Sequence, residues 1–523
     1  MFTEAEQSQF TDSVRPKVLA LVNEVERLTK MVKLLQEERR LEKLKQYGSG
    51  SERLSDAQLA LLDEEPGVSA EEIAAEGGLV HAERDLPLEE ESKEGVNGEK
   101  RRGRRGARSL PEGLPQEVIK FNCTKEQRIC PCCKKPKSLI GIAESKRLHR
   151  IPAQYVVRVY QQEKLACGAC RSGITVAKGP AFIIAKGIAT DELVVDTILG
   201  KFEMHAPLYR QQVQMERECG AIVPRSDLSN WTLSAGFLLE SVSRAMISEL
   251  KAGTYIQADE TPVGVQDREK PGRNHRGYLW EYSSPNGPVV FDYQNGRSRE
   301  GPSKMLKGFR GTLQTDGYQA YDKVGGPGII RAACMAHARR KFHDAWMMSK
   351  SDERLLEILR LIRSLYQVER EARKGGLSIE ARLALRQEKS KAPMALLKEK
   401  ILAMRSSELP QSLSSKACDY ALSLWARLEV YLEHGEVEID SNLAENAIRP
   451  IALGRKNWLH FGSKEAGPKI AALLSVIETC HRLRISAREY LLDVLPKLAH
   501  GMQSEVASLT PHRWAQSRIQ AAA

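Results

Sequence analysis

Near the N-terminus apolar residues recur every seven positions: Val18, Val25 and Val32 interleave with Leu21, Leu28 and Leu35, while Glu24, Glu26, Arg27, Lys30 and Lys33 fill the outer positions. The pattern predicts one amphipathic helix over 14–44, within a coiled-coil segment spanning 14–46. β-branched residues at one seam position and leucine at the other favour a parallel two-stranded coil. The competing arrangement is a helix packed on its own domain, but the lack of apolar residues off the seam favours self-association. Three heptads are marginal alone, so the coil would assist a homodimer or higher homo-oligomer held elsewhere as well.

Periodicity is then lost over 47–118. An acidic stretch (Asp63 to Glu65, Glu71-Glu72, Glu89 to Glu91) gives way to Lys100-Arg-Arg-Gly-Arg-Arg105-Gly-Ala-Arg108. So polarised and poorly apolar a segment reads as a disordered linker. Residues 119–180 hold β-prone runs, Arg150 to Tyr160 above all, and read as a small ribbon domain. Residues 190–250 read as helices: one from the His205-Ala-Pro-Leu-Tyr-Arg210 stretch to Cys219-Gly220, and another from Pro224-Arg225-Ser226, with Ser226 placed as N-cap. Helix, glycine turn, helix outlines a helix-turn-helix-like DNA-binding region, a pattern that ordinary helical hairpins share.

From 254 the pattern becomes strands: 254–258, 277–282, 288–293, 311–315 and 328–333. Short turns followed by longer connections fit a mixed α/β sheet. Between 344 and 435 the pattern is wholly helical, with Leu355 to Ile362 and Tyr420 to Trp425 as apolar stripes, and helices resume over 469–502. The predicted class is a multidomain α+β protein: a first catalytic part at 251–343, a helical insertion at 344–435, and a second catalytic part with C-terminal helices at 436–505.

Charge sharpens this picture. Over 523 residues, 79 Lys and Arg against 68 Asp and Glu leave a formal +11, an excess that attracts a polyanion such as DNA. No apolar run reaches the roughly 18 residues of a membrane span, and the first residues lack the build of a signal peptide, so no membrane partner and an intracellular location are expected. Two Cys-x-x-Cys pairs, Cys130/Cys133 and Cys167/Cys170, stand 33 residues apart. Four thiolates so paired suit tetrahedral Zn²⁺, with Cys123 and Cys132 as substitute ligands and buried free thiols as the alternative.

Three stretches carry the chemistry: Tyr255-Ile-Gln-Ala-Asp259-Glu-Thr, Thr312-Leu-Gln-Thr-Asp316-Gly-Tyr and Ile439-Asp-Ser-Asn442-Leu-Ala-Glu445-Asn-Ala-Ile-Arg449. The first two put an Asp at the end of a β-prone run, where α/β sheets present their chemistry. The third begins a helix. Each has a plain structural explanation: both Asp residues suit turns, Pro262 should end the first strand, Asn442 with Glu445 makes a capping box, and Pro450 should kink or end its helix. Three converging carboxylates on a basic chain suit two hard divalent cations for phosphodiester chemistry, Mg²⁺ with Mn²⁺ as substitute. Glu260, Asp440 and Glu478 are reserve acids.

In order along the chain, Tyr47-Gly-Ser-Gly-Ser-Glu52-Arg, the basic linker, the cysteine pairs, Pro207-Leu-Tyr-Arg210, Ala258-Asp-Glu-Thr-Pro262, Gln314-Thr-Asp-Gly-Tyr318, Cys334-Met-Ala-His337-Ala-Arg-Arg340 and Ala447-Ile-Arg-Pro-Ile-Ala-Leu-Gly-Arg455-Lys-Asn-Trp458 resemble the insertion-sequence-66 family of transposases. The resemblance implies an RNase H-like catalytic domain with a helical insertion, and matches its acid triad to Asp259, Asp316 and Glu445. It further implies a prokaryotic, nucleoid-associated enzyme that cleaves and joins double-stranded DNA at element ends and target, with small accessory proteins from the same element. Where the family has Asp-Asn-Asn and Ala-Glu-Arg, this chain has Asp440-Ser441-Asn442 and Ala444-Glu445-Asn446.

Candidate DNA contacts are Arg101, Arg102, Arg104 and Arg105 for non-specific grip, Arg225 and Asn230 for reading ends, and His337, Arg340, Arg449, Arg455 and Lys456 near the acids. Cys334 and His337, two ligands on one helix start, read as packing, and Trp458 as core. The alternatives are a zinc-dependent DNA-binding regulator with an inactive nuclease-like domain, which would lose at least one acid, and a nuclease that cuts without joining.

Overall fold

The computed structural model describes residues 154–522 apart from 166–173, 181, 186, 268–273, 323, 325 and 502, together with 24, 25, 27, 28, 31, 32, 132 and 134–136. Of the predicted seam, Val25, Leu28 and Val32 fall here and are helical and exposed, as is Met31, and Arg27 pairs with Glu24 at 2.8 Å. Linker residues 47–118 lie outside the described residues.

The chain divides into two units, 85–160 and the remainder. In the smaller one, Val156, Val157 and Val159 are exposed, and residues 154–160 belong to no described strand. After residue 160 the larger unit continues with a two-stranded antiparallel pair, β1 (Lys164–Leu165) and β2 (Thr175–Val176).

Its main sheet has the order β5-β4-β3-β6-β7, built from β3 (Tyr255–Gln266), β4 (Asn274–Ser283), β5 (Val289–Gln294), β6 (Gly311–Thr315) and β7 (Ile329–Ala333). β3, β4 and β5 form an antiparallel meander, and β6 and β7 continue parallel to β3. β3 does not stop at Pro262. Beyond Gln257 its β6 side is unpaired until β8 (His460–Phe461) joins at Gly264, and a proline is tolerated where no ladder donor is required.

Helices α1 (Asp191–Phe202), α2 (Leu208–Cys219) and α3 (Arg225–Ala252) precede the sheet. Gly220 at φ 70° ends α2 as the glycine turn predicted, but the cap of α3 is Pro224 and Ser226 lies inside the helix. These helices are no separate body. Val194, Ile198, Leu228, Leu239 and Met246 share one apolar core with Ile256, Leu279 and Phe291 of the sheet, and with Leu473 and Ile477 of α12 (Ala466–Arg482). α12 also finishes the sheet edge: Thr479 Oγ1 and Ser475 Oγ accept the backbone N–H of Val289 and Phe291 at 2.9 and 2.8 Å, which blunts the open side of β5. Gly236 lets α3 approach, since a Cβ there would sit 2.6 Å from the Lys469 carbonyl oxygen.

The helical insertion has its own core. It comprises α5 (Met335–Met348), α6 (Glu353–Lys374), α7 (Ile379–Lys389), α8 (Lys391–Ser407), α9 (Leu413–Ser423) and α10 (Trp425–Leu428), after the short α4 (Glu300–Met305) in the sheet. Phe342, Leu355, Ile362, Leu397, Ile401 and Trp425 pack with Ala332 and Ala333 of β7. The boundary drawn at 343 thus falls within α5. α11 (Asn442–Trp458) then runs straight through Pro450 rather than ending there; the lost bond is to Asn446, whose residue is exposed to water. α13 (Ala487–Ala499) and an unpredicted α14 (Pro511–Ala522) follow, with Trp514 against Tyr490 at 5.4 Å. No described helix is long and apolar enough to cross a membrane.

Candidate active site

The parallel register of β3 and β6 aligns Gln257 with Gln314. Two residues further along each chain, on the same face, come Asp259 and Asp316. Asp259 is therefore not at a strand end, as the sequence suggested, but within β3 where its neighbour stops. Asp316 just follows β6, with its Oδ1 accepting the Tyr318 N–H at 2.8 Å and Gly317 at φ 90° turning the chain. Tyr420 of α9 donates to the Asp316 carbonyl at 2.6 Å, so the insertion touches this turn.

Glu445 comes from α11. The capping box does not form: Ser441 is the cap, Asn442 is already helical, and Asn442 is held by Asp440, whose carboxylate accepts its backbone N–H at 3.2 Å and its Nδ2 at 3.0 Å. Glu445 is thereby left with a buried Oε1 that has no hydrogen-bond partner.

Two glutamines join the strands to α11, and sequence reasoning passed over them. Gln257 Nε2 donates to the Asp440 carbonyl at 2.9 Å and its Oε1 accepts the Ala444 N–H at 3.2 Å. Gln314 Nε2 donates to the Glu438 carbonyl at 2.8 Å. Tyr255 OH donates to Gln314 Oε1 at 2.5 Å and accepts from Gln257 Nε2 at 2.8 Å and Glu438 N at 3.2 Å. All three side chains are buried, so every bond is made where water cannot substitute. The available signal was the repeated Gln-x-Asp spacing in both strand motifs.

The insertion grips the same segment from behind. Arg386, fully buried, donates to the carbonyls of Tyr431, His434 and Val437 at 2.7–2.9 Å and to both oxygens of Glu369. Arg382 bridges Glu369 and Glu438.

The acids crowd one another electrostatically. Burial first, then the charges of Glu260 and Glu445 and, more weakly, Asp316, push the Asp259 carboxyl well above its ordinary range, against one hydrogen bond from the Glu260 N–H. Glu260 is better compensated: Arg297, stacked 3.7 Å over the Tyr318 ring, pairs with it, and Tyr321 OH donates at 3.1 Å. Glu281, opposite Asp259 on β4, is pushed up to about 8 by burial. Of the reserve acids, Asp440 serves the start of α11, and Glu478 lies 3.6 Å from His481 in a separate cleft of about 300 Å³.

His337 and Cys334 at the start of α5 meet Glu445: His337 Nδ1 is 3.5 Å from Glu445 Oε1, and one ligand atom from each of the three residues lies within 4.8 Å of the others. Burial, with Asp440 and Glu445 nearby, pushes the Cys334 thiol up to about 12.

The basic candidates are dispersed. Arg225 and Asn230 are exposed at the start of α3, Lys456 is exposed, Arg340 half-buried, and Arg449 lines the cleft with Glu478. Arg455, expected at a phosphate, is half-buried, with Nη1 donating to Thr261 Oγ1 at 3.0 Å and to the Pro262 carbonyl, so it ties α11 to β3. Trp458 is core, stacked on Phe461 at 5.6 Å. Arg101, Arg102, Arg104, Arg105, Cys130, Cys133, Cys167 and Cys170 lie outside the described residues.

Residues 186–469 match the family model described as "Transposase IS66 family", 127–171 match "zinc-finger binding domain of transposase IS66", and 34–119 match "Transposase C of IS166 homeodomain". Among similar proteins of Sinorhizobium fredii, the uncharacterized protein y4jD is 31% identical over 443 residues, covering 81% of this chain and 85% of its own length. The uncharacterized protein y4qI is 31% identical over 501 residues, covering 92% and 88%. A match across more than half the chain to the transposase model, joined by the zinc-finger model upstream, supports a DNA-acting transposase, and the chain belongs to the IS66 transposase family.

Proposed function

We propose that the chain is an RNase H-like, divalent-metal-dependent transposase that cleaves DNA at element ends and transfers the strand, with Asp259, Asp316 and Glu445 as its acid triad. The observation that carries this reading is the placement of Asp259 and Asp316 two residues beyond the Gln257–Gln314 register pair of adjacent parallel strands, with Asp259 in electrostatic reach of Glu445 and raised by acidic neighbours. A three-stranded meander followed by two parallel strands supports the RNase H-like assignment.

The donor set fits Mg²⁺ or Mn²⁺. Asp259, Asp316 and Glu445 offer only hard carboxylate oxygens, and burial among acids raises the Asp259 carboxyl well above its ordinary range. Bound there, two such ions would polarise the scissile phosphate, activate water or a 3′-hydroxyl and stabilise the leaving oxygen. The chain's own part is placement. Gln257, Gln314 and Tyr255 lock the strands to the start of α11, and Arg386 and Arg382 brace the loop before it.

Upstream, the assigned roles are Zn²⁺ for Cys130, Cys133, Cys167 and Cys170, phosphate grip for the 100–108 run, and dimerisation for 14–46. The exposed Arg225 and Asn230 are assigned to DNA ends, with His337, Arg340, Arg449 and Lys456 available to flanking phosphate.

Purified protein incubated with Mg²⁺ and duplex carrying the element's ends tests the triad. Asp259→Asn, Asp316→Asn and Glu445→Gln should each abolish cleavage and strand transfer while leaving end binding intact. Normal turnover in all three variants would remove the triad; normal turnover in Glu445→Gln alone would move its role to another acid.

A further inference from the structure

The cluster at the start of α5 contains a donor set that the phosphodiester chemistry does not call for. Cys334 caps α5, His337 lies one turn in, and Glu445 arrives from α11, more than 100 residues downstream. Their ligand atoms fall within 4.8 Å of one another. Cys334 is buried, and the side chains of His337 and Glu445 are 24% and 16% exposed. His337 Nδ1 and Glu445 Oε1 face each other at 3.5 Å, yet both are buried atoms with no hydrogen-bond partner. Two orphaned ligand atoms and a buried sulfur turned into one small volume are costly unless something joins them.

We infer that Cys334, His337 and Glu445 form a binding site for a borderline divalent cation of the Zn²⁺ class, separate from the oxygen-only set at Asp259 and Asp316. One sulfur, one imidazole nitrogen and one carboxylate oxygen is a set that Zn²⁺ or Co²⁺ accepts and Mg²⁺, which seeks oxygen, does not. Three protein ligands leave a fourth position open, as in zinc sites that take water or substrate. The main-chain N–H of Ser441 donates to Cys334 Sγ at 3.3 Å, which orients the sulfur. Glu445 is the shared member. Its Oε1 belongs to the Cys334 and His337 side, so an ion there fixes the carboxylate that the triad uses. The site depends on the triad reading only through that consequence, since its ligands stand whether or not Asp259 and Asp316 hold ions.

Metal uptake by the full chain decides it. Metal-free protein titrated with Co²⁺, followed by absorbance and by metal content after desalting, should take up one equivalent more than the Cys334→Ser variant. His337→Gln, at a half-exposed position, should lose the same equivalent with its helical circular dichroism unchanged, which separates loss of a ligand from loss of the fold. Millimolar Mg²⁺ should leave this equivalent in place. Asp259→Asn should retain it while losing Mg²⁺-supported cleavage, so failure of the triad and failure of this site give different results. Equal uptake by wild type, Cys334→Ser and folded His337→Gln, or displacement of the equivalent by Mg²⁺, would overturn the assignment.

Discussion

Glu369 in the helical insertion and Asp259 in the sheet are both buried acids, and their surroundings differ in kind. Burial acts to raise Glu369, 1% exposed, but hydrogen bonds and charge from Arg386 and Arg382 outweigh it and hold the carboxyl below its ordinary range. At Asp259 burial acts in the same direction and the neighbours reinforce it, because Glu260, Glu445 and Asp316 are all acids. The insertion compensates its charge from within the chain. The sheet leaves a deficit that a cation from outside can fill, whereas Glu369 is held by the insertion's own arginines.

The comparison breaks most visibly on the compensated side. Arg386→Met leaves Glu369 with Arg382 as its remaining partner and frees three carbonyls of 431–437, so it should cost about 3–5 kcal/mol, read by chemical denaturation. Cleavage should fall with it, because the braced loop leads to Glu445. Unchanged stability would show that the insertion's charges are not mutually required.

Gln257→Leu probes the junction between the two regions. It keeps size while removing the bonds to Asp440 O and Ala444 N, and should cost about 1–3 kcal/mol for the polar groups left buried. Its loss of cleavage should exceed what the unfolded fraction explains, since Glu445 loses its register to β3. Loss of cleavage in proportion to unfolding alone would reduce Gln257 to packing.

On the uncompensated side the sign reverses. The folded-state pKa of Asp259 lies above its unfolded value, so the folded form holds more protons between the two, and stability falls as pH rises through that window. Without metal, Asp259→Asn should therefore melt higher than wild type above the window, by roughly 2–4 °C for about 1 kcal/mol relieved, and the difference should shrink at acid pH. A variant that melts lower at neutral pH would mean that Asp259 is already compensated.

The smallest effect concerns His481. Its hydrogen bonds to Glu203 and Glu478 raise it to about 10, so that contribution to stability is full below the unfolded value near 6.5 and disappears as pH rises through about 10. At 43% exposure the effect is screened, and Glu203→Gln should cost less than about 1 kcal/mol at acid pH and nothing at high pH. A pH-independent cost would assign Glu203 a role other than this pair.

Much of this contrast was legible in the sequence, though unevenly. The strands expected at 277–282, 288–293, 311–315 and 328–333 follow their β-prone runs, whereas the first, expected to end at Ala258, runs on to Gln266, and the insertion's helices follow their apolar stripes. Pro262 and Pro450 misled for different reasons: Pro262 lies where one side of β3 is unpaired, whereas Pro450 does lose a bond, to the carbonyl of Asn446, a residue exposed to water. The acids could be named from their motifs. The bonds that place them could not, because Gln257 to Ala444 and Arg386 to Val437 join residues 187 and 51 positions apart. Glu445 looked like half of a capping box until the actual cap, Ser441, freed it for the pocket with Cys334 and His337.

The direct test of the uncompensated site is a Mg²⁺ titration of metal-free protein followed by thermal melting, in wild type and in Asp259→Asn. Wild type should be stabilised progressively, by about 2.7 kcal/mol at a hundredfold excess over Kd, because the cation binds the folded form alone. Asp259→Asn should start higher and respond little. A wild-type curve that does not move with Mg²⁺, or a variant that moves equally, would contradict the claim that Asp259, Asp316 and Glu445 hold the metal.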